Sequence, residues 1–296
     1  MTNMFRDDLL RGKRILVTGG GSGLGRMMTE RYIQLGADVY IMGRRGGVLE
    51  ETASELHAAN PNGGTVLPLA CDIRDADAVE AAVAQAFEAG PLTGLVNNAA
   101  GNFIAQTKDL SHRGFNAVAD IVFRGTFYVT NAVGKRWIAG DHPGSVISIV
   151  TTWADTGSPF VVPSAMSKAA IANMTKSLAI EWGPRNIRLN AIAPGPFPTE
   201  GAWERLFPKG TEREFNAPDK NPSGRVGTMF ELANLATFLM ADGCDYLSGE
   251  VIAIDGAAHL AGGANFSYLL TRSDEEWRQL REEIRAVDAK DKEKRG

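Results

Sequence analysis

Residues 14–25 read RILVTGGGSGLG, a short apolar run that passes straight into a glycine-rich loop and then into a helix-like pattern. No other stretch limits the possible folds as tightly. A strand that feeds a tight glycine turn and a helix opens a parallel α/β layer, because glycine permits both the turn and a close backbone approach to whatever the loop holds. The first N–H groups of the following helix are free to bind an anion such as a pyrophosphate. Gly19, Gly23 and Gly25 are spaced G-x-x-x-G-x-G, not the G-x-G-x-x-G of many dinucleotide enzymes. The physics is the same for both spacings. Gly19, Gly21, Ser22, Gly23, Leu24 and Gly25 are therefore the expected cradle of a nucleotide.

The rest of the chain keeps the alternation. Strand candidates are RILVT, ADVYIM, TVLPLA, GLVNN, SVISIV, IRLNAIA and EVIAI, and amphipathic runs such as GGVLEETASELHAA and DADAVEAAVAQAFEA lie between the early ones. Nearly continuous apolar strands flanked by helices belong to a parallel sheet covered on both faces. The expected fold is one doubly wound α/β domain over residues 1–262. Two segments break the rhythm. Residues 200–226 are rich in Pro, Gly and charge and are long for a connection, as expected of a substrate loop or lid. Residues 263–296 form a tail in which Ser273 and Glu276 make a capping signature before a stripe of Trp277, Leu280 and Ile284. That stripe suits packing on the core or on a neighbouring subunit, or covering a substrate.

Composition removes several function classes. The 296 residues carry a net charge of −4 with acids and bases mixed, so no nucleic-acid footprint appears. Two distant cysteines, Cys71 and Cys244, exclude a disulfide scaffold, and no Cys/His cluster has metal-ligand spacing, so no metal is expected. No apolar run approaches the roughly 18 residues of a membrane span. MTNMFRDDLLRGK lacks the apolar core of a signal peptide, and KEKRG is not a peroxisomal address. A cytoplasmic protein is the expectation.

The end of the second strand, VYIMGRRGG, bears on which nucleotide is held. An acid here would suit the ribose hydroxyls of NAD, whereas the chain offers Gly43, Arg44 and Arg45. Guanidinium groups pair with a 2′-phosphate, so NADP(H) is expected, with a solvated arginine pair as the plain alternative.

Together with NNAAG at 97–101, APGPFPT at 193–199 and SGEVIAIDG near the end, the chain resembles the short-chain dehydrogenase/reductase family over nearly its whole length. The resemblance implies a seven-stranded Rossmann-type fold. It further implies that Asp72 and Ile73 flank the adenine, and that Asn98, Ala99, Ala100 and Gly101 lie along the cofactor. Pro194, Gly195 and Thr199 would hold the nicotinamide end, while Asn97 looks structural. Small residues around Lys168 and a long helix through Phe127 and Val133 imply a homotetramer.

Ser164 and Lys168 in PSAMSKAA are four apart, one above the other on a helix; alone, they could be a solvated surface pair. In the family, Lys168 matches the lysine of a Tyr-x-x-x-Lys pair that contacts the nicotinamide ribose. Ser164 holds the tyrosine's place and Thr151 that of the catalytic serine. A serine hydroxyl is a far weaker acid than a phenol, so ordinary ketone chemistry is not what this site suits. The chain is most similar to the 2,4-dienoyl-CoA reductase branch, through NNAAGNF, TGSPFVVPSAMSKAA, SLAIEWG and RVGTMFELANLATFL. Mitochondrial members of that branch carry a displaced tyrosine where this chain has Trp153, and a helical asparagine where it has Arg124. Peroxisomal members use an aspartate where it has Val122. Trp153 suits a packed wall. Arg124 interrupts an apolar run and calls for an ion pair, a route to water or a developing oxyanion. The expected activity is NADPH-dependent reduction of an unsaturated acyl-CoA by Lys168, Ser164, Thr151 and Arg124. The rivals are another carbonyl or enoyl substrate, or a catalytically silent NADP-binding scaffold.

Overall fold

The computed structural model describes residues 4–199, 221–261, 269 and 271–283. Seven parallel strands form one sheet: β1 (Arg14–Thr18), β2 (Asp38–Gly43), β3 (Val66–Ala70), β4 (Gly94–Asn97), β5 (Gly144–Ile149), β6 (Ile187–Pro194) and β7 (Val251–Ile254). Their order is β3-β2-β1-β4-β5-β6-β7, so the direction of winding reverses between β1 and β4. In such sheets a ligand crevice opens beyond the carboxyl ends of the strands at that switch point. Each sequence-predicted strand is present within a residue or so of its expected ends. Pro68 in β3 is tolerated because β3 is an edge strand, paired only with β2.

Alternation within the strands divides the core. Ile15 and Val17 face α1 (Gly23–Gln34), α2 (Gly46–Ala59) and α8 (Met229–Met240), whereas Leu16 faces α3 (Ala76–Glu88), α5 (Thr126–Ala139) and α7 (Val162–Trp182). Both faces are dry, as continuous apolar strands require. Trp137 of α5 is fully buried, and its indole N–H donates to Leu92 O (2.6 Å).

The long helix is not uniform. α4 (His112–Ala119) runs into a π-helical turn at Asp120–Gly125 before α5 begins. Gly125 explains why that turn sits where it does: a Cβ there would lie 2.6 Å from Ile73 Cγ1 and 3.0 Å from Ile73 O. The π turn therefore packs directly on the loop after β3.

α6 (Trp153–Thr156) and α9 (Ala258–Ala261) are single turns. Of the expected substrate loop, 200–220 lie outside the described residues. Its end, 221–226, is a turn closed by Asn221 Nδ2 donating to Arg225 O (2.8 Å). Residues 274–283 are helical, with the Ser273–Glu276 capping box formed in both directions. Ile284 lies outside the described residues. Among the described residues, no helix is long and apolar enough to cross a membrane.

Candidate active site

The glycine loop is held open by its neighbours. Thr18 Oγ1 accepts from the N–H groups of Asn98 and Ala99 (both 3.0 Å), which ties the ends of β1 and β4 together. Asn98 Nδ2 donates to Thr18 O (3.0 Å) and Gly19 O (3.3 Å), so its side chain serves the loop itself. Gly19 and Gly23 sit at φ +67° and +52°, in the left-handed region that favours glycine. Ser22 precedes α1 in extended backbone without capping it, and no acid stands in the first helical turn. The first N–H groups of α1 are thus left for an anion, and the neighbouring Gly19 has no room for a side chain: a Cβ there would stand 3.0 Å from Ala99 Cα. These residues fit a pyrophosphate. Across the crevice, Thr199 would lie 3.6 Å from a Cβ on Gly23, so the loop after β6 closes over the cradle. Gly195 N donates to Ile254 O (3.0 Å), and Gly195 has no room for a side chain because Asp255 lies against it.

At the neighbouring strand ends, Arg44 and Arg45 are exposed, and among the described residues neither guanidinium makes an ion pair or hydrogen bond. Free cations at this position fit a 2′-phosphate. Asp72 is occupied: Arg74 Nε reaches both of its carboxylate oxygens at 3.0 Å and Nη2 reaches Oδ2 at 2.5 Å. This pairing, with a further contribution from Arg44, holds the Asp72 carboxyl below the usual carboxylate range. Sequence reasoning missed Arg74. Its only signal was a cation two residues beyond the expected adenine-flanking acid. Cys71 beside it is buried, and burial pushes its thiol up to about 11, which makes it unreactive.

Lys168 and Ser164 are both buried, which excludes the solvated surface pair. Pro163 in the first turn of α7 sets the helix start, and Ser164 and Lys168 then stack one turn apart. Lys168 Nζ donates to Ile149 O at the end of β5. Burial pushes its ammonium down to about 8. Thr151 follows β5 and is half-buried. Among the described residues, neither the Ser164 nor the Thr151 hydroxyl makes a hydrogen bond. Two free hydroxyls near a buried ammonium can donate to an oxygen that gains charge.

Arg124 is turned onto its own helix, with Nη1 2.5 Å from Asp120 Oδ1. To reach a substrate it must leave that partner. Trp153 opens α6, which packs against α7. Ala105 N donates to Phe160 O (2.9 Å), joining the loops after β4 and β5. Phe103, Ile104, Phe160 and Met166 are exposed on these segments and give the crevice an apolar rim. Asn97 is structural, as expected: it is buried, and its Nδ2 donates to Thr130 Oγ1 (2.8 Å) and Ser148 Oγ (3.3 Å).

Comparison with known proteins agrees with this geometry. Residues 19–259 match the family model described as Enoyl-(Acyl carrier protein) reductase. An uncharacterized oxidoreductase of Caenorhabditis elegans is 44% identical over 292 residues, covering 96% of this chain and 91% of the relative. A protein of the same organism described as a probable (3E)-enoyl-CoA-producing 2,4-dienoyl-CoA reductase is 41% identical over 296 residues, covering 98% and 94%. The crystal structure of a short chain dehydrogenase from Bacillus anthracis superposes with a TM-score of 0.75 at 39% identity, covering 84% of this chain and 98% of that one.

Proposed function

Because the chain belongs to the short-chain dehydrogenase/reductase family, we propose that it is an NADPH-dependent reductase of an unsaturated acyl thioester, similar to the 2,4-dienoyl-CoA reductases. One observation carries this reading: buried Lys168 is present, and the phenol that family members use beside it is replaced by the buried hydroxyl of Ser164. The names of its relatives support the same substrate class.

NADPH, bound in the cradle, supplies the hydride. The Gly19–Gly25 loop would hold its pyrophosphate, Arg44 and Arg45 its 2′-phosphate, and Asp72 and Ile73 would flank the adenine. Asn98 to Gly101 would run along it, and Pro194, Gly195 and Thr199 would hold the nicotinamide end. Lys168 would orient the ribose. Reducing a ketone creates a strongly basic alkoxide, which needs a good acid close by. Reducing a conjugated thioester instead spreads charge onto the thioester oxygen, which hydrogen-bond donors can stabilise without a proton transfer. Ser164 and Thr151 are suited to donate there, with Arg124 as a third donor once released from Asp120. Carbon can then be protonated by water. The apolar rim of Phe103, Ile104, Phe160 and Met166 suits an acyl chain.

The purified protein is expected to oxidise NADPH with 2,4-dienoyl-CoA or enoyl-CoA substrates and to turn ketones over poorly. Ser164→Ala should cost about tenfold or more, and Trp153→Tyr should leave activity intact or raise it. Efficient ketone reduction with every dienoyl-CoA untouched would mean a carbonyl reductase. Tight coenzyme binding with no turnover across the whole panel would favour the silent scaffold, a reading that the missing phenol keeps open.

Cofactor choice is tested separately. Hydrogen bonds between charged groups contribute about 1.5–3 kcal/mol, which is roughly 10- to 150-fold in affinity. NADP(H) should bind at least about tenfold tighter than NAD(H), and Arg44→Ala should remove most of that gap. Titration of the wild type with both coenzymes decides it, and equal affinities would refute the assignment.

The proposal extends to assembly and location. Phe123, Phe127 and Ile180 are exposed on the long helix and α7, the two helices expected to meet a second copy in a homotetramer. A cytoplasmic location, and a division into a 1–262 catalytic unit and a 263–296 tail, complete it.

A further inference from the structure

Arg44 and Arg45 are the proposed partners of the 2′-phosphate, yet the fold sets a carboxylate beside them. β2 and β3 end in register, Gly43 opposite Ala70, and Cys71 N donates to Gly43 O (2.9 Å). The two chains leave the sheet side by side, which puts Asp72 next to Arg44. An acid at such a strand end suits the ribose hydroxyls of NAD and repels a 2′-phosphate. Here that acid is not free. The Arg74 guanidinium grips both of its oxygens, and Arg74 N also donates to Oδ1 (3.1 Å). Bidentate pairing of this kind fixes geometry as well as charge. The intervening Ile73 is held against the π turn at Gly125, so the loop that carries Asp72 and Arg74 cannot easily move away.

We propose that Arg74 is a coenzyme-specificity residue acting through Asp72: it neutralises and holds that carboxylate so that a 2′-phosphate is accepted beside it. Arg74 is thus a positioning residue, while Arg44 and Arg45 touch the phosphate. This rests on the NADP(H) assignment. With Arg74 removed, Asp72 becomes the acid of an NAD-type site and competes for Arg44. The cost falls on the phosphorylated coenzyme alone.

The test is fluorescence titration of the full chain with NADPH and NADH, repeated with adenosine 2′,5′-bisphosphate and AMP, which isolate the phosphate. Arg74→Ala should weaken NADPH binding about three- to tenfold, the size expected for part-exposed, solvent-screened charges. NADH should stay within about twofold, and the loss should shrink in 1 M salt. Adding Asp72→Asn to Arg74→Ala should restore most of the NADPH affinity, because the repelling charge is gone. Equal weakening of both coenzymes, including loss of NADH binding through misfolding, would make Arg74 merely structural and overturn the proposal. So would an unchanged NADPH/NADH ratio, or no rescue by Asp72→Asn. A wild type without NADPH preference would instead refute the cofactor assignment itself, before any variant is measured.

Discussion

Replacing Lys168 with methionine is expected to remove roughly hundredfold or more of the turnover, and to reverse its own effect on stability between pH 7 and pH 10. The activity loss follows from removing the one buried cation that reaches the end of β5. The stability effect follows from burial. The Lys168 ammonium is pushed from 10.5 down to about 8, which corresponds to about 3 kcal/mol of cost for carrying the charge in the folded state. The unfolded chain binds more protons than the folded one only between about pH 8 and 10.5, so stability from this group rises with pH across that window. Below pH 8 the cost is carried in full. Methionine removes the cost but leaves Ile149 O without its donor, a loss of about 1–3 kcal/mol. At pH 7 the two nearly offset, with the variant favoured by about 1 kcal/mol. Near pH 10 most of the charge cost is gone from the wild type and only the missing hydrogen bond counts, so the variant becomes the less stable protein. Urea unfolding at both pH values checks this, and parallel stability curves would show that the lysine is not desolvated. Wild-type turnover should also decline as pH rises through about 8, because the charged form is then lost.

Much of this was legible before any coordinates. Strands buried on both faces must be apolar throughout, so IRLNAIA and SVISIV identify themselves, and the glycine loop follows from the backbone conformations it needs. The Ser164–Lys168 pair was visible as spacing, but its burial was not, since a helix pattern does not say which face meets the sheet. The π turn was invisible for a different reason. IVFRGTFYV has apolar residues at ordinary helical spacing, and the extra residue in the turn is dictated by the loop at Ile73, which is distant in sequence. The same contact between distant segments hid Arg74. Its importance depends on the register of β2 against β3, which places Asp72 beside Arg44. Arg124 was weighed correctly as a residue in need of a partner, and that partner proved to be Asp120 on its own helix. Asn98 was expected along the cofactor, yet its side chain is spent bracing the loop.

That brace is the basis of the second large effect, which is expected for Gly25→Ala. A Cβ at position 25 would run into Gly19 O and lie 2.5 Å from Asn98 Nδ2. Both obstacles are fixed. Gly19 O is backbone at a left-handed position, and Asn98 Nδ2 is already donating to Thr18 O and Gly19 O. Neither can yield as the free end of a flexible side chain would. The helix must instead move away from the loop, which breaks the Asn98 bonds and swings the first N–H groups of α1 off the pyrophosphate position. Overpacking of this kind costs about 1–3 kcal/mol or more in stability. A displacement near 1 Å at a positioned group costs roughly hundredfold in function, so coenzyme affinity should fall by about that factor. Gly47→Ala provides the contrast. Gly47 lies in the first turn of α2 with nothing within 4 Å of a Cβ, so alanine there should stabilise the helix by up to about 1 kcal/mol and leave coenzyme binding alone. Thermal unfolding and coenzyme titration of the two variants separate the cases. A Gly25→Ala protein that binds NADPH as the wild type does would show that α1 does not hold the pyrophosphate, and the cradle would have to be sought elsewhere.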